Sequence, residues 1–209
     1  MKLSVRILLC LALLRAPLAH AADGYTIYES TAASVNGEVL FLSDVAREAC
    51  FLRCAAMPGT TEEVLSAREA RDRLILDTLA LQEQRKLLLG AVDNAVLEDH
   101  ARQAESRMAG CASPCKQEIA PGETREWIRR KLLLRDFFNR RVAVFVDVKR
   151  DDVRRELERR SSSPGNDAVP TPEEVREEML EARIEEEIRN WQTRAASKSR
   201  VILSPMGDR

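Results

Sequence analysis

The chain has 209 residues, and its 33 Lys and Arg nearly balance its 34 Asp and Glu, which gives a formal net charge of −1 at pH 7. This balance argues against a nucleic-acid-binding protein, because binding to nucleic acid needs a concentrated basic face. Charged residues make up 32% of the chain and aromatic residues only 4%, a composition typical of long amphipathic helices. The length suffices for one domain and barely for two.

The N-terminus has the three-part pattern of a secretory signal peptide. A start with two basic residues precedes the unbroken apolar run Ile7–Leu14, and Ala19–Ala21 is a small-x-small cleavage site. The apolar run is far shorter than the roughly 20 residues that a membrane-spanning helix needs. We therefore predict a signal peptide at residues 1–21, cleavage near Ala21 and Ala22, and an exported protein without stable membrane insertion.

A β-hairpin and a helix are predicted to come first in the mature chain. The range Ala32–Leu42 has β-branched residues on either side of an Asn-Gly dipeptide, which is the strongest short hairpin signal. Ser43 follows as an N-cap with Asp44 in the first turn. This pattern predicts a helix from Asp44 to about Ala55.

Three amphipathic helices are predicted in the middle of the chain. Thr60 and Glu63 form a capping box for the first of them, and Gly90 lies at its C-terminal cap. The predicted bounds of the three helices are Thr60–Leu89, Asp93–Met108 and Glu123–Arg141.

The last third of the chain is predicted to contain one more helix pair and a closing strand. Thr171 and Glu174 form a capping box for the final helix. Strands at opposite ends of the chain would be exposed edges unless they paired with each other. The fold class is therefore mainly α, with five to six helices and a small sheet formed by the N-terminal hairpin and a C-terminal strand. The predicted segments are a bend at Val142–Val148, a helix at Asp151–Arg160, a linker at 161–171, a helix from Pro172 to about Ala196 and a strand at Arg200–Ser204.

Four stretches of the chain carry a family resemblance. The opening "SVNGEVLFLSDV" is followed by the helices "ARDRLILDTLALQEQRKLL" and "TREWIRRKLLLRDFFNRRV", and the ending is "EARIEEEIRNWQTRAASKSRVILS". This order resembles the chaperone module of the SurA-type periplasmic chaperones and prolyl isomerases, over Thr31–Arg160 and Thr171–Ser204. The resemblance implies that residues 22–160 and 172–209 form one periplasmic chaperone domain. It also implies binding of unfolded polypeptides, outer-membrane β-barrel proteins among them, without a cofactor or metal.

One departure from the family pattern concerns the isomerase. Family members usually carry one or two parvulin-type domains before the final helix, and a domain needs on the order of a hundred residues, whereas the linker at 161–171 has about a dozen. The two histidines of the chain are His20, inside the signal peptide, and His100, so no isomerase-like histidine pair exists. The resemblance therefore implies binding of unfolded clients and does not carry isomerase activity across. Because the sequence has no Gly-rich phosphate loop, we predict an ATP-independent holdase and not an enzyme.

Binding of unfolded clients would need apolar surface that stays partly exposed. Two stretches, Leu74–Gln82 and Leu132–Phe138, contain more apolar residues than a single buried face requires. The alternative is that both stretches pack between neighbouring helices as core. The candidate client-binding residues are Leu74, Ile75, Leu79, Leu132, Leu134, Phe137 and Phe138.

Four cysteines lie in two C-x3-C stretches, Cys50/Cys54 and Cys111/Cys115. Even-numbered cysteines in an exported protein are expected to pair. Cβ atoms four residues apart on a helix are about 5–6 Å from each other, whereas a disulfide requires about 3.8 Å, so a bridge inside the first stretch is disfavoured. We favour the antiparallel pairs Cys50–Cys115 and Cys54–Cys111. A local bridge in the second stretch, a four-cysteine zinc site and redox-active or unpaired thiols remain open.

Two classes of function other than a holdase also remain open. The first is an adaptor or assembly subunit that binds one folded partner through the same apolar helices. The second is a thiol-redox or zinc protein that uses the four cysteines.

Overall fold

The computed structural model describes residues 29–55, 66–87, 90–162 and 170–205. Within these ranges the chain is mainly helical, with a small three-stranded antiparallel sheet, so the predicted fold class is confirmed. The predicted signal peptide and most of the predicted linker lie outside the described residues. The strands and α-helices are β1 Thr31–Val35, β2 Glu38–Phe41, α1 Leu42–Cys54, α2 Ala67–Lys86, α3 Asn94–Gly110, α4 Glu123–Arg141, α5 Arg150–Ser161, α6 Pro172–Ser197 and β3 Val201–Leu203. Short 3-10 helices follow α3 at Pro114–Glu118 and α4 at Ala143–Phe145.

The sheet joins the two ends of the described chain. Its strand order is β2-β1-β3, and both neighbours run antiparallel to β1. Asn36 and Gly37 form the two-residue turn between β1 and β2 with φ values of 52° and 91°, the left-handed conformation that a tight hairpin turn requires and that Asn and Gly tolerate. Ser34 in the central strand pairs with Val39 on one side and with Ile202 on the other. The predicted hairpin and the predicted closing strand are therefore both confirmed.

The first helix begins earlier than the sequence predicts. We predicted Ser43 as the N-cap, whereas α1 begins at Leu42 and its N-cap is Phe41, the last residue of β2. The carboxylate of Asp44 accepts a hydrogen bond from the backbone N–H of Phe41 at 2.9 Å. This bond satisfies a free amide at the helix start, so the strand passes into the helix without a loop.

The second helix begins later than predicted, whereas the predicted cap of the last helix is confirmed. The N-cap of α2 is Ser66, whose hydroxyl accepts from the backbone N–H of Glu69 at 3.3 Å while the Glu69 carboxylate accepts from the Ser66 N–H at 2.7 Å. The predicted box at Thr60 and Glu63 lies outside the described residues, and the extended backbone of Ser66 separates it from α2. At α6 the box is the predicted one, between Thr171 and Glu174.

The interior of the described chain is divided among several apolar clusters. One joins α1, α3 and α4, where the rings of Phe51 and Trp127 stack with their centroids 5.2 Å apart. A second packs the sheet on α2, and a third joins α2, α4 and α6 around Phe137 and Trp191. The last lies between α5 and the N-terminal half of α6. The 26 residues of α6, about 39 Å of helix, thus connect the α5 packing to the main body.

Candidate functional site

Two disulfide bonds join α1 to the segment after α3. Cys50 pairs with Cys115 and Cys54 with Cys111, with Cα separations of 5.8 and 5.3 Å. The prediction of disulfide bonds is confirmed, and the partners are those of the antiparallel arrangement. The two bridges are adjacent, because the Sγ atoms of Cys54 and Cys115 are 4.0 Å apart.

Three of these sulfur atoms lie close enough together to resemble a metal site. The Sγ atoms of Cys50, Cys54 and Cys115 all lie within 4.8 Å of one another. Zinc binds thiolates, and a sulfur in a disulfide offers none. In this state the cluster packs against the core of α1, α3 and α4 and acts as a structural link.

A buried ionic network is centred on Glu48, two residues before Cys50. Glu48, 1% exposed, accepts hydrogen bonds from the indole N–H of Trp127 at 2.9 Å, from Arg130 at 3.1 Å and from Lys131 at 2.7 Å. Lys131 also donates to Asp77 at 2.6 Å. Burial alone would raise the pKa of Glu48, but the positive charges of Lys131 and Arg130 and the hydrogen bonds from Lys131 and Trp127 outweigh burial. They hold that pKa below its ordinary value. The network connects α1, α2 and α4.

Sequence reasoning missed Glu48, although one signal was present. Val45, Glu48 and Leu52 are spaced i, i+3 and i+7 in α1, and all three are buried on one face. A glutamate at a position of an apolar stripe requires a positive or hydrogen-bonding partner, because an isolated buried carboxylate is very unfavourable.

The candidate client-binding residues of the sequence analysis lie mostly in the core. Six of them are buried, at 7% exposure or less, namely Leu74, Ile75, Leu79, Leu132, Leu134 and Phe137. These six side chains are therefore not accessible to a client in this conformation, and their contact with clients stays a prediction. They are inaccessible because α2 and α4 are covered on more than one face, by the sheet and α1 on one side and by α6 on another. Phe138 is half-buried, with its ring centroid 5.4 Å from that of Trp191.

The most exposed large apolar side chains of the described residues lie in the 3-10 helix after α4. Val144 is 67% exposed and Phe145 is 77% exposed. A second exposed group lies on the sheet, where Val39 and Ile202 flank Ser34 in one cross-strand row. Neither group was among the candidates from sequence.

A large open cleft lies where the C-terminal ends of α2, α4 and α6 meet. Its volume is about 1080 Å³, and Trp191 and Arg194 of α6 and the C-cap residue Lys198 line it together with Arg141 at the end of α4. An adjoining cavity of about 570 Å³ shares Arg141, Trp191 and Arg194 and extends to Phe145. We call the two cavities together the basic cleft.

The aromatic wall of the basic cleft is Trp191. Its ring meets those of Phe137 and Phe138 edge-on, with centroids 5.0 and 5.4 Å away, so the indole is fixed against α4 while part of it stays exposed to the cleft. The wall therefore offers an apolar face to a ligand.

Three exposed cations of the basic cleft differ from the other three in their partners. Arg85 forms an ion pair with Glu38 at 2.8 Å, Lys86 one with Glu83 at 3.3 Å, and Arg183 one with Asp152 at 2.8 Å. The remaining three form no ion pair with any carboxylate in the described ranges, and they are Arg141, Arg194 and Lys198. Their charge is therefore available to a ligand.

Comparison of the chain with models of known protein families and with curated proteins finds no match. None of the helices in the described ranges is both long enough and apolar enough to cross a membrane.

Proposed function

We propose that the protein is an ATP-independent holdase that binds unfolded polypeptide segments in the basic cleft and has no prolyl isomerase activity. The observation that carries this proposal is Phe145, 77% exposed, at the edge of an open cleft whose wall is Trp191. Soluble proteins rarely keep large apolar groups exposed beside a concave surface unless a partner covers them. An unfolded chain offers apolar side chains and free backbone groups to both features.

The resemblance to SurA-type chaperones favours the same class of function. It also favours export to the periplasm and outer-membrane β-barrel proteins as clients. The contact residues that we now propose are the exposed or half-buried ones, Trp191, Phe138, Val144 and Phe145, in place of the buried candidates.

The test is light scattering of a urea-unfolded outer-membrane β-barrel protein after dilution, with and without the purified, oxidised protein. We expect aggregation to be suppressed near an equimolar ratio. The variant V144S/F145S should need several times more protein for the same suppression, because it loses the exposed apolar edge of the cleft. The matched control V39S/V96S removes two exposed apolar side chains elsewhere and should behave as the wild type.

Failure of the folded wild type to suppress aggregation would contradict the holdase proposal. A stable stoichiometric complex with one folded partner, lost in V144S/F145S, would then identify an adaptor or assembly subunit. A thiol-redox or zinc function is less favoured, because all four cysteines of the two C-x3-C stretches are in disulfide bonds.

A further inference from the structure

The larger cavity of the basic cleft is lined by five cations and one carboxylate, Glu83, which is paired with Lys86 at 3.3 Å. Trp191, Arg194, Ala195 and Lys198 are spaced i, i+3, i+4 and i+7, so α6 presents one ring and two cations on a single face, and all four line the cleft. Arg141 faces them from the end of α4. Like charges on neighbouring turns repel each other. A ligand with negative charge would relieve that repulsion.

Helix geometry accounts for the presence of these cations but not for their clustering. Cations in the last turn stabilise a helix through its dipole, and both α4 and α6 end at this cleft. This effect would be equally large if the side chains lay on opposite sides of the molecule. The protein as a whole has a net charge of −1, so an unpaired basic group of three is a local exception to its overall charge.

The cavity near Phe145 has a different charge composition. It shares Arg141 and Arg194 with the larger cavity and adds Asp147, Glu186 and Glu187 as well as Arg183. Arg183 is held by Asp152 at 2.8 Å, so its charge is already paired. The cleft is therefore cationic at Lys198 and of mixed charge at Phe145, where three carboxylates lie beside the exposed ring.

We infer that the basic cleft, as the client site proposed above, selects polypeptide segments in which carboxylates lie beside an aromatic or branched apolar side chain. The carboxylates bind Arg141, Arg194 and Lys198, and the apolar side chain packs on Trp191. The carboxylates of Asp147, Glu186 and Glu187 near Phe145 disfavour segments with carboxylates on both sides of the apolar residue. This inference rests on the proposed function and adds the chemical class of the client segment.

The test is fluorescence anisotropy with three short fluorescein-labelled peptides that share one Phe-Val centre. Each carries, on one side of the centre, two Glu, two Gln or two Lys. We expect the Glu peptide to bind about tenfold more tightly than the Gln peptide at low salt, the combined effect of a few exposed ion pairs. The Lys peptide should bind most weakly. The difference should disappear at about 0.5 M NaCl, where the Debye length is only a few ångströms.

The variant R141Q/R194Q/K198Q should bind the Gln peptide as the wild type does and lose the preference for Glu. The control R53Q/K149Q/R176Q removes the same amount of charge from exposed cations outside the cleft and should keep the preference. The comparison of Glu and Gln peptides on the wild type needs no variant, so it decides the question even if a variant folds poorly.

Equal binding of the Glu and Gln peptides would overturn this inference. The holdase proposal would still stand if the protein suppressed aggregation. Suppression of aggregation without binding of any peptide would overturn it too, because clients would then bind elsewhere. Loss of both activities would overturn the inference and the proposed function together. Heparin or anionic lipid vesicles that bind through the same three cations, and displace the Glu peptide at lower concentration, would show a polyanion site instead.

Discussion

Glu48 is the residue whose environment most constrains the fold. Its carboxylate is almost completely buried, and every hydrogen bond that it accepts comes from α4. Removing one member of a buried ion network leaves the other charges buried without a partner. The loss of stability is then larger than if the whole network were replaced by apolar side chains. The residue therefore determines how α1 docks on α4 and does not face a ligand.

We expect Glu48→Gln to lower the free energy of unfolding by about 3 kcal/mol, the lower end of the range for breaking a buried pair, because Lys131 keeps Asp77 as a partner. Urea denaturation followed by circular dichroism measures this change. The control Glu98→Gln breaks an exposed ion pair with Arg125 and should cost less than about 1 kcal/mol. Equal effects of the two substitutions would mean that the network is not a stabilising contact.

The same two variants test the pKa of Glu48. Its pKa in the folded protein is below the ordinary value of 4.5, so its contribution to stability is present above that value and is lost as the pH falls through the folded pKa. The free energy of unfolding should therefore fall more steeply below about pH 4.5 in the wild type and in Glu98→Gln than in Glu48→Gln. Parallel acid profiles for all three proteins would contradict the assignment.

At this scale the sequence predicted the cysteine partners but not the ionic network. Local spacing argues against a bridge between Cys50 and Cys54, because a helix holds their Cβ atoms too far apart. It does not choose between the two ways of pairing them with Cys111 and Cys115, and the packing of α1 on the segment after α3 makes that choice. The partners of Glu48 are 79 to 83 residues away on another helix. Nothing local in the sequence indicates which of many Arg and Lys residues reaches it.

At the scale of elements, the two disulfide bonds fix α1 to the segment after α3. Their loops are nested, with sequence separations of 65 and 57 residues, so either bridge alone closes the long loop. The second bridge then closes only a short additional loop. The stabilising effect of the pair is therefore not the sum of two long-loop closures.

We expect C54A/C111A and C50A/C115A each to lose about 2–3 kcal/mol of unfolding free energy, because one bridge still restricts the unfolded chain. The variant without all four cysteines should lose roughly 4 kcal/mol more, the effect of opening the long loop. Urea denaturation without reductant measures all three. A single-pair variant as unstable as the fourfold variant would show that the two bridges act as one unit.

Element boundaries were the least predictable part of the fold. Two Ser/Thr-x-x-Glu patterns, starting at Thr60 and at Ser66, precede α2, and local propensity does not choose between them. The direct passage of β2 into α1 was also missed, because residue type alone favours a different N-cap. Ser43 is the better N-cap by residue type, but the hydrogen bond from Phe41 to Asp44 moves the helix start to Leu42.

At the scale of the whole molecule, β3 protects the edge of the central strand. It pairs with Ala33, Ser34 and Val35, and backbone hydrogen bonds extend the pairing at both ends, from Asn36 to Arg200 and from Ser204 to Ala32. Without β3 the edge of β1 would present unpaired amide and carbonyl groups, which invites pairing with other chains.

A chain that stops after Ser199 should therefore be less stable than the full-length protein and should self-associate. Thermal unfolding and size-exclusion chromatography measure both effects. The control stops after Pro205, which keeps β3 and the hydrogen bond from Ser204, and it should match the full-length protein. A monomeric, equally stable protein after removal of β3 would contradict this role of the strand.

The fold class was predictable from the sequence, but the basic cleft was not. Helix periodicity, the Asn-Gly turn and the Thr171 capping box are local signals that predict elements directly. The cleft is lined by the hairpin turn and the ends of three helices, and its residues are up to about 160 positions apart, from Asn36 to Ser199. Trp191 gave no signal beyond its place in an amphipathic stripe. Grouping such residues requires the packing of the helices, which single-sequence patterns do not contain.

The hydrogen bond between the backbone N–H of Arg200 and the side chain of Asn36 spans 164 positions of the chain. Contacts this distant in sequence form slowly, because a long loop must close before they contribute to stability. The sheet cannot be completed until the segment around Leu203 is available to pair with β1. We therefore expect the helices to form early and the protein to reach its final topology only after synthesis of that segment, in a late step that closes the sheet.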